Sequence, residues 1–176
     1  MLVGETQILG QGKDAYLLAL EVEKTDMVLD KLFRQAIQVG KRVRTETRLG
    51  ALPDTVGYVA VALARKIFGN LEHCTAMVIG AGETAELVVR SIQERGVRLV
   101  LVTNRTHERA VELSKRLGAS VVHFDAILEQ LVNVDVVISS TSAPHFILNT
   151  EDLSKLMHTR RNRPLFMIDI AVPRDI

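Results

Sequence analysis

The chain has 176 residues, 47% of them hydrophobic and 24% charged, so it can bury the core of one full domain and is neither disordered nor fibrous. Its 22 Lys and Arg nearly balance its 21 Asp and Glu, so a net charge of +1 creates no overall field that attracts nucleic acid or an anionic membrane. The longest apolar run, 58–64, is too short to span a bilayer, and Met1 does not begin a signal peptide. One cysteine, Cys74, excludes an internal disulfide and a multi-cysteine metal site. We therefore expect a cytoplasmic protein with no metal centre.

The residues before about 53 show two helical patterns and no strand. The first is imperfectly amphipathic, and Gly12 in its interior costs about 1 kcal/mol relative to alanine. The second follows a capping residue, Thr25 or Asp26, and repeats apolar residues at three- and four-residue steps over about 20 residues. Such a stripe needs a partner surface, which another domain or subunit can provide.

The end of this second helix is basic, with Lys41, Arg42, Arg44 and Arg48. These side chains can interact with the negative end of the helix dipole, or they can contact an RNA backbone. We favour the first interpretation, because Glu46 interrupts the cluster and no aromatic residues alternate with it.

A third helical pattern follows Pro53 and ends at Gly69, and the segment after it is the most informative in the chain. From Thr75 an apolar run leads into Gly80-Ala81-Gly82-Glu83-Thr84-Ala85, where a helical pattern begins. This Gly-x-Gly-x-x-Ala spacing is typical of a strand, a tight turn and a helix that bind a dinucleotide. Gly80 permits the turn, Gly82 lets the backbone approach a pyrophosphate, and Ala85 lets the helix pack closely on the strand.

Strand and helix patterns alternate from here to the end of the chain. Further strands are predicted at 99–102, 120–123, 135–139 and 165–170, and helices are predicted to begin at Thr106, at Ala126 and after a cap at Asn149 or Thr150. Alternation with short connections predicts a parallel sheet with helices on both faces. The predicted fold class is α/β, a Rossmann-like doubly wound parallel sheet from about residue 74, preceded by an all-helical N-terminal segment.

The end of the second predicted strand carries Asn104, Arg105 and Thr106, with Arg109 one helical turn later. An NAD-binding domain usually has an acidic residue here for the ribose hydroxyls. A guanidinium instead binds a 2′-phosphate through two charge-assisted hydrogen bonds, with help from the Thr106 hydroxyl. We therefore expect NADPH rather than NADH. Alternatively, Thr106 only caps its helix and Arg105 is solvated.

A hydroxyl-rich loop, Ser139–Pro144, follows the fourth predicted strand. Because ligands of open parallel sheets lie beyond the carboxyl ends of the strands, Ser140 and Thr141 are candidates to line the cofactor channel. No His and acid accompany these serines in sequence, so a serine nucleophile is not supported.

Five blocks of residues carry a family resemblance in addition to these local signals. They are Gly4–Gln11, Lys41–Thr47, Gly80–Thr84, Asn104–Thr106 and Asp169–Asp175. In this order they resemble glutamyl-tRNA reductase over nearly the whole chain. Members of that family reduce the glutamyl ester of tRNA to glutamate 1-semialdehyde with NADPH, at the start of five-carbon tetrapyrrole and porphyrin synthesis. The resemblance implies the same cofactor and reaction here.

The resemblance also implies a domain organisation. Residues 1–24 correspond to an edge of the catalytic domain, 25–52 to a long linker or spinal helix, and 53–176 to the NADPH-binding domain. The candidate substrate-binding residues, which match the family's substrate-contacting segment, are Glu5, Thr6, Gln7 and Gln11. The family's nucleophilic cysteine is expected before Met1, and Cys74 does not match it. We thus expect that the 176 residues include no catalytic residue and that the chain is truncated at both ends. The chain alone is expected not to reduce the ester.

The family's partners are glutamyl-tRNA, a second subunit in a homodimer, and the aminomutase that acts on glutamate 1-semialdehyde. Two other interpretations stay open. A small dehydrogenase similar to shikimate dehydrogenase, which has a like Asn-Arg-Thr stretch, needs a Lys/Asp pair facing the nicotinamide, and no motif provides one. A non-enzymatic module could instead bind RNA or a partner enzyme through the basic end of the long helix.

Overall fold

A computed structural model of the chain describes residues 6–47, 49, 56–161 and 163–176. The chain divides into two compact units, Met1–Thr55 and Val56–Ile176. The predicted positions Pro53 and Arg48 lie outside the described residues. The further division of the first unit at residue 24 stays a prediction.

The described part of the first unit consists of two helices, α1 (Thr6–Glu21) and α2 (Met27–Glu46). Asp26 rather than Thr25 caps α2, because its carboxylate accepts a hydrogen bond of 2.7 Å from the Leu29 N–H. Helix α1 continues through Gly12, as the sequence pattern predicts.

A small polar cluster joins the two helices. The Tyr16 hydroxyl donates to the Asp30 carboxylate, and the Arg34 Nε donates to the same carboxylate at 3.0 Å. The Tyr16 ring also stacks on Phe33, with 5.5 Å between ring centroids. The hydrogen bonds from Tyr16 and Arg34 lower the pKa of Asp30, and the bond to Asp30 raises the pKa of Tyr16.

The second unit is a five-stranded sheet in the order β3-β2-β1-β4-β5, and every pairing is parallel. The strands are β1 (Thr75–Ile79), β2 (Leu99–Thr103), β3 (Ser120–Val121), β4 (Val136–Ser139) and β5 (Phe166–Asp169). The helices are α3 (Val56–Phe68), α4 (Glu83–Gln93), α5 (His107–Leu117), α6 (Ile127–Leu131) and α7 (Thr150–Thr159), with a 3₁₀ turn at Phe124–Ala126 before α6.

Alternate residues of the central strand serve two separate cores. Ala76 and Val78 belong to the core formed with α3, α4 and α5, whereas Met77 and Ile79 belong to the core formed with α6 and α7. All five β1 residues are buried, since the strand lies between neighbours with helices on both faces. The predicted doubly wound parallel sheet is therefore confirmed.

Helices α3 and α4 approach each other closely at one glycine. A Cβ on Gly57 would lie 3.1 Å from the Val88 Cα, so a larger residue there would push the helices apart. Ala85, in the first turn of α4, is fully buried. Its small side chain lets α4 pack on the sheet, which is the packing that the sequence predicts for this position.

Strand β3 is shorter than the predicted 120–123, and ends at Val121. It is an edge strand with β2 as its partner, so few ladder bonds extend it. His123 leaves the sheet and stacks on His107 of α5, with ring centroids 4.0 Å apart. The 3₁₀ turn begins at the next residue, Phe124.

Candidate functional site

A cleft of about 460 Å³ lies at the carboxyl ends of the strands in the second unit. Eleven of the twelve predicted cofactor residues line it; these are Gly80, Ala81, Gly82, Glu83, Thr84, Asn104, Arg105, Thr106, Arg109, Ser140 and Thr141. The twelfth, Ala85, lies beneath the turn as a buried packing residue. The structure therefore brings together three segments that are distant in sequence.

The glycine turn between β1 and α4 forms the middle of the cleft. Gly80 has φ +126°, and a Cβ there would lie 2.5 Å from the Ser140 carbonyl oxygen. Glycine is thus required both by the backbone conformation and by the close approach of the loop after β4. The sequence indicated the turn but not this second contact.

Gly82 has a different role, because a Cβ there would meet nothing within 4 Å. It is the N-cap of α4, and no side chain caps that helix. The N–H groups of the first turn of α4 consequently have no side-chain acceptor, and they can bind an anion that enters the cleft. Glu83 is the first residue of α4, and because its carboxylate would repel a phosphate, only its backbone is a candidate for such a contact.

Cationic groups lie at one end of the cleft, after β2. Arg105 and Arg109 are exposed, and the side chain of neither makes a hydrogen bond or ion pair with any described residue. Thr106 is the N-cap of α5, but its side chain makes no capping bond. The Asn104 side chain donates to the Thr106 carbonyl at 3.1 Å and so fixes the turn between them. Two guanidinium groups and one hydroxyl are therefore available to a ligand.

Two other arginines on these helices, Arg90 and Arg116, share one carboxylate. Glu86 of α4 lies 2.9 Å from both Arg90 and Arg116. The hydrogen bond from Arg90, together with the charge of Arg116, lowers the pKa of Glu86. Among the described residues that line the cleft, the Lys and Arg side chains are those of Arg105 and Arg109.

The hydroxyl-rich loop after β4 forms the other end of the cleft, and hydrogen bonds hold it both internally and to Asp175. The Thr141 hydroxyl donates to the Asp175 carboxylate at 2.5 Å and accepts a hydrogen bond of 3.0 Å from the Ala143 N–H. Adjacent strands lie about 4.8 Å apart, so the distance from β2 to β5 is about 14 Å. The cleft suits an elongated ligand with phosphates near β1 and β2.

Sequence reasoning missed several residues that line the cleft, namely Phe124, His145, Ile147, Ile170 and Val172. Phe124 follows β3, and Ile170 and Val172 follow β5. The rule that carboxyl ends of parallel strands meet at one edge predicts positions after β3 and β5 as well as after β1, β2 and β4. That rule was the signal that could have found them.

The candidate substrate residues lie in the first unit. Glu5 falls outside the described residues, and Thr6 begins α1. Gln7 is half-buried and Gln11 exposed, and a spacing of four places them on one face of the helix. Their substrate role stays a prediction.

Cys74 is buried and precedes β1, at the edge of the sheet opposite the cleft. The length of β1 separates this edge from the glycine turn by about 16 Å. Burial raises the pKa of the Cys74 thiol, which lowers the fraction of reactive thiolate. The structure thus assigns Cys74 to packing.

Two further kinds of feature, a metal site and a membrane-spanning helix, were sought among the described residues. They contain no group of three or more His, Cys, Asp or Glu that could hold a metal ion. In the same residues, none of the helices has both the length and the apolar character needed to cross a membrane.

Two family models match different parts of the chain. Residues 62–176 match the sequence model of the family described as shikimate / quinate 5-dehydrogenase. Residues 1–47 match the model described as glutamyl-tRNAGlu reductase, N-terminal domain.

Similar proteins extend over the whole chain. The glutamyl-tRNA reductase of Citrifermentans bemidjiense is 47% identical over all of this chain and 41% of its own length. That of Syntrophobacter fumaroxidans is 51% identical over all of this chain and 38% of its own length. The chain thus spans about two fifths of these relatives.

Solved structures of glutamyl-tRNA reductases are also similar to the chain. The glutamyl-tRNA reductase from Methanopyrus kandleri matches with a TM-score of 0.66 and 45% identity, over 100% of this chain and 44% of that one. The nucleotide-binding domain of the Thermoplasma volcanium enzyme matches with a TM-score of 0.52 over 65% of this chain and 77% of that one, and at 19% identity it supports the fold alone. The chain therefore belongs to the glutamyl-tRNA reductase family, and its residues 62–176 belong to the domain family described as shikimate / quinate 5-dehydrogenase.

Proposed function

We propose that this chain supplies the NADPH-binding part of a glutamyl-tRNA reductase, which reduces glutamyl-tRNA to glutamate 1-semialdehyde for tetrapyrrole synthesis. The identity with relatives of that name over all 176 residues supports the reaction. The observation that carries the cofactor assignment is the pair of unpaired guanidinium groups, Arg105 and Arg109, beside an uncapped helix N-terminus in one cleft.

The residues present fit NADPH. The open N–H groups after Gly82 would hold the pyrophosphate, because nothing occupies the space that a Cβ there would fill. Arg105 and the Thr106 hydroxyl would hold the 2′-phosphate, with Arg109 beside them. The loop at Ser140 and Thr141 would line the remaining part of the cofactor. When bound, NADPH supplies the hydride that reduces an activated acyl group.

The acyl-transfer chemistry belongs to other residues in this proposal. Cys74 is buried at the opposite edge of the sheet, so these 176 residues contain no thiol that could form the thioester beside the cofactor. We therefore expect this chain alone to bind NADPH without reducing glutamyl-tRNA. Glutamate 1-semialdehyde formation at a catalytic rate by this chain would overturn that expectation.

The same family assignment extends to the partners, the location and the domains. We propose contact of α1, through Gln7 and Gln11, with the glutamyl end of the tRNA, and homodimer formation by the complete enzyme. We also propose a cytoplasmic location, which the single cysteine supports, and delivery of the product to the aminomutase that uses it. Residues 1–24, 25–52 and 53–176 would be a catalytic-domain edge, a spinal helix and the NADPH domain.

Calorimetric titration tests the cofactor assignment directly. NADPH should bind at least about tenfold more tightly than NADH, since one additional charge-assisted contact contributes about 1.5 kcal/mol or more. Equal affinities would remove the basis for NADPH, and the absence of binding by either nucleotide would refute the cofactor site.

The match of residues 62–176 to the shikimate / quinate 5-dehydrogenase model favours one alternative, a small NADP-dependent dehydrogenase. That chemistry needs a Lys/Asp pair facing the nicotinamide. Among the described residues that line the cleft, none is lysine or aspartate. Oxidation of shikimate with NADP⁺ by this chain would nevertheless establish the alternative.

The basic end of α2 gives weaker support to a module that binds RNA without a nucleotide. Lys41, Arg42 and Arg44 are exposed, but Arg42 lies 3.6 Å from Glu46, which reduces the local charge. A salt-dependent RNA shift together with no binding of NADPH would favour this module.

A further inference from the structure

The loop that follows β4 is held in place by a carboxylate far away in sequence. The Thr141 hydroxyl donates to Asp175 Oδ2 at 2.5 Å, across 34 positions, and the Ile147 N–H donates to the Asp175 carbonyl at 2.7 Å. Asp175 thus binds the loop near both of its ends. The proposed cofactor contacts make no use of Asp175, which does not line the cleft.

Asp175 is itself fixed to the end of β5. Asp169, the last residue of that strand, accepts hydrogen bonds from the Asp175 N–H at 3.1 Å and from the Ala171 N–H at 2.9 Å. The Thr141 oxygen in turn accepts from the Ala143 N–H at 3.0 Å. A continuous series of hydrogen bonds therefore runs from β5 through Asp175 to the part of the loop that faces the cleft.

This arrangement has a cost in stability. Asp175 has 0% exposure, and its Oδ1 accepts no hydrogen bond from any described residue. Burial of a carboxylate oxygen without a donor is unfavourable, whereas an apolar side chain at the same place would pack without that penalty. A contribution to packing alone does not account for an aspartate here.

The position of the loop suggests which part of a dinucleotide it affects. In the sheet order, β4 and β5 lie on the opposite side of β1 from β2, which carries Arg105 at its end. A dinucleotide with its 2′-phosphate at Arg105 and its pyrophosphate at the β1 turn would extend its nicotinamide half toward β4. The loop held by Asp175 faces that half.

We propose that Asp175, acting through the Thr141 hydroxyl, is a positioning residue that sets the Ser140–Ala143 loop against the nicotinamide half of the cofactor. This inference rests on the proposed NADPH site. It predicts that loss of the Asp175 carboxylate changes the binding of the nicotinamide half and leaves the binding of the adenosine half unchanged.

The test compares two ligands by calorimetry, NADPH and 2′,5′-ADP, which is the adenosine half with its 2′-phosphate. Asp175→Ala should weaken NADPH about tenfold, as expected for one lost hydrogen bond to a charged group, and should change 2′,5′-ADP less than about twofold. Asp175→Asn is the matched control, because its amide oxygen can still accept from Thr141. It should keep most of the affinity for NADPH.

Asp175→Ala could fail to fold, in which case it would show no thermal transition and would not bind 2′,5′-ADP. A second pair of variants then tests the same contact. Thr141→Val should weaken NADPH selectively, and Thr141→Ser, which keeps the hydroxyl, should restore the affinity. Equal weakening of both ligands, or no weakening of either, would overturn the role of Asp175. Failure of the unsubstituted chain to bind 2′,5′-ADP would instead refute the proposed NADPH site itself.

Discussion

Helices α2 and α4 have the same kind of sequence and very different surroundings. Both are amphipathic, but α2 buries none of its 20 residues, whereas α4 buries five of its 11, including Val88. Val28 of α2 is 73% exposed. The chain gives α4 a sheet and α3 to pack on, whereas among the described residues of its own unit α2 packs only on α1, for example where Tyr16 stacks on Phe33, and this contact buries none of its residues. An amphipathic pattern thus predicts a helix and its apolar face, but not the surface that covers it.

The largest expected effect lies in the unit where α4 packs. Gly80→Ala should lower the free energy of unfolding of the α/β unit by about 3 kcal/mol or more, because its positive φ and the Ser140 carbonyl both oppose a side chain. Chemical denaturation followed by far-UV circular dichroism measures this change.

Gly82→Ala is the matched control for that substitution. Its Cβ would meet nothing within 4 Å, so the free energy of unfolding should change by less than about 0.5 kcal/mol. NADPH affinity should nevertheless fall, because the added methyl group stands where the pyrophosphate would approach. Similar stability losses for the two variants would contradict the distinct roles given to these glycines.

Replacing a valine by alanine should have different effects in the two helices. Val88→Ala in α4 should lower the free energy of unfolding by about 2 kcal/mol, because two buried methyl groups are lost from the core. Val28→Ala in α2 should change it by less than about 0.5 kcal/mol, since that side chain is exposed. Equal effects would mean that the face of α2 is covered in solution.

A smaller, pH-dependent effect is expected in the helical unit. Because the folded-state pKa of Asp30 is lowered, its contribution to stability is present above the unfolded value of about 3.9 and is lost as the pH falls through the folded-state value. The fluorescence of Tyr16, which donates to Asp30, should change over that range in a Tyr58→Phe background. Asp30→Asn should abolish this transition, and its persistence would assign the change to another group.

Much of the fold and the site follows from short-range patterns. The apolar run at 76–79 predicted β1, and the Gly-x-Gly spacing with Arg105 predicted both the phosphate turn and the cationic end of the cleft. Such features depend on residues close in sequence, so one segment is enough to identify them. The start of α2 at its Asp26 cap is a similar case.

The remaining features depend on contacts between distant segments. No local pattern predicts that Asp175 binds Thr141, because their distance in space is set by the pairing of β4 with β5. The end of β3 was predicted too late, because the apolar pattern does not show that the chain leaves β2 after Val122 and that His123 stacks on His107. Gly80 takes part in a feature of each kind. Its turn follows from residues close in sequence, whereas its contact with Ser140 joins two distant segments.

The most direct test of the NADPH assignment is titration of Arg105→Ala with NADPH and NADH. NADPH should bind about 30-fold more weakly and NADH within about twofold of the unsubstituted chain, as a lost contact to the 2′-phosphate requires. Arg98→Ala is the control, because Arg98 is exposed at the other end of β2 and does not line the cleft. It should leave both affinities unchanged. Equal losses for the two nucleotides in Arg105→Ala would contradict recognition of the 2′-phosphate at this site.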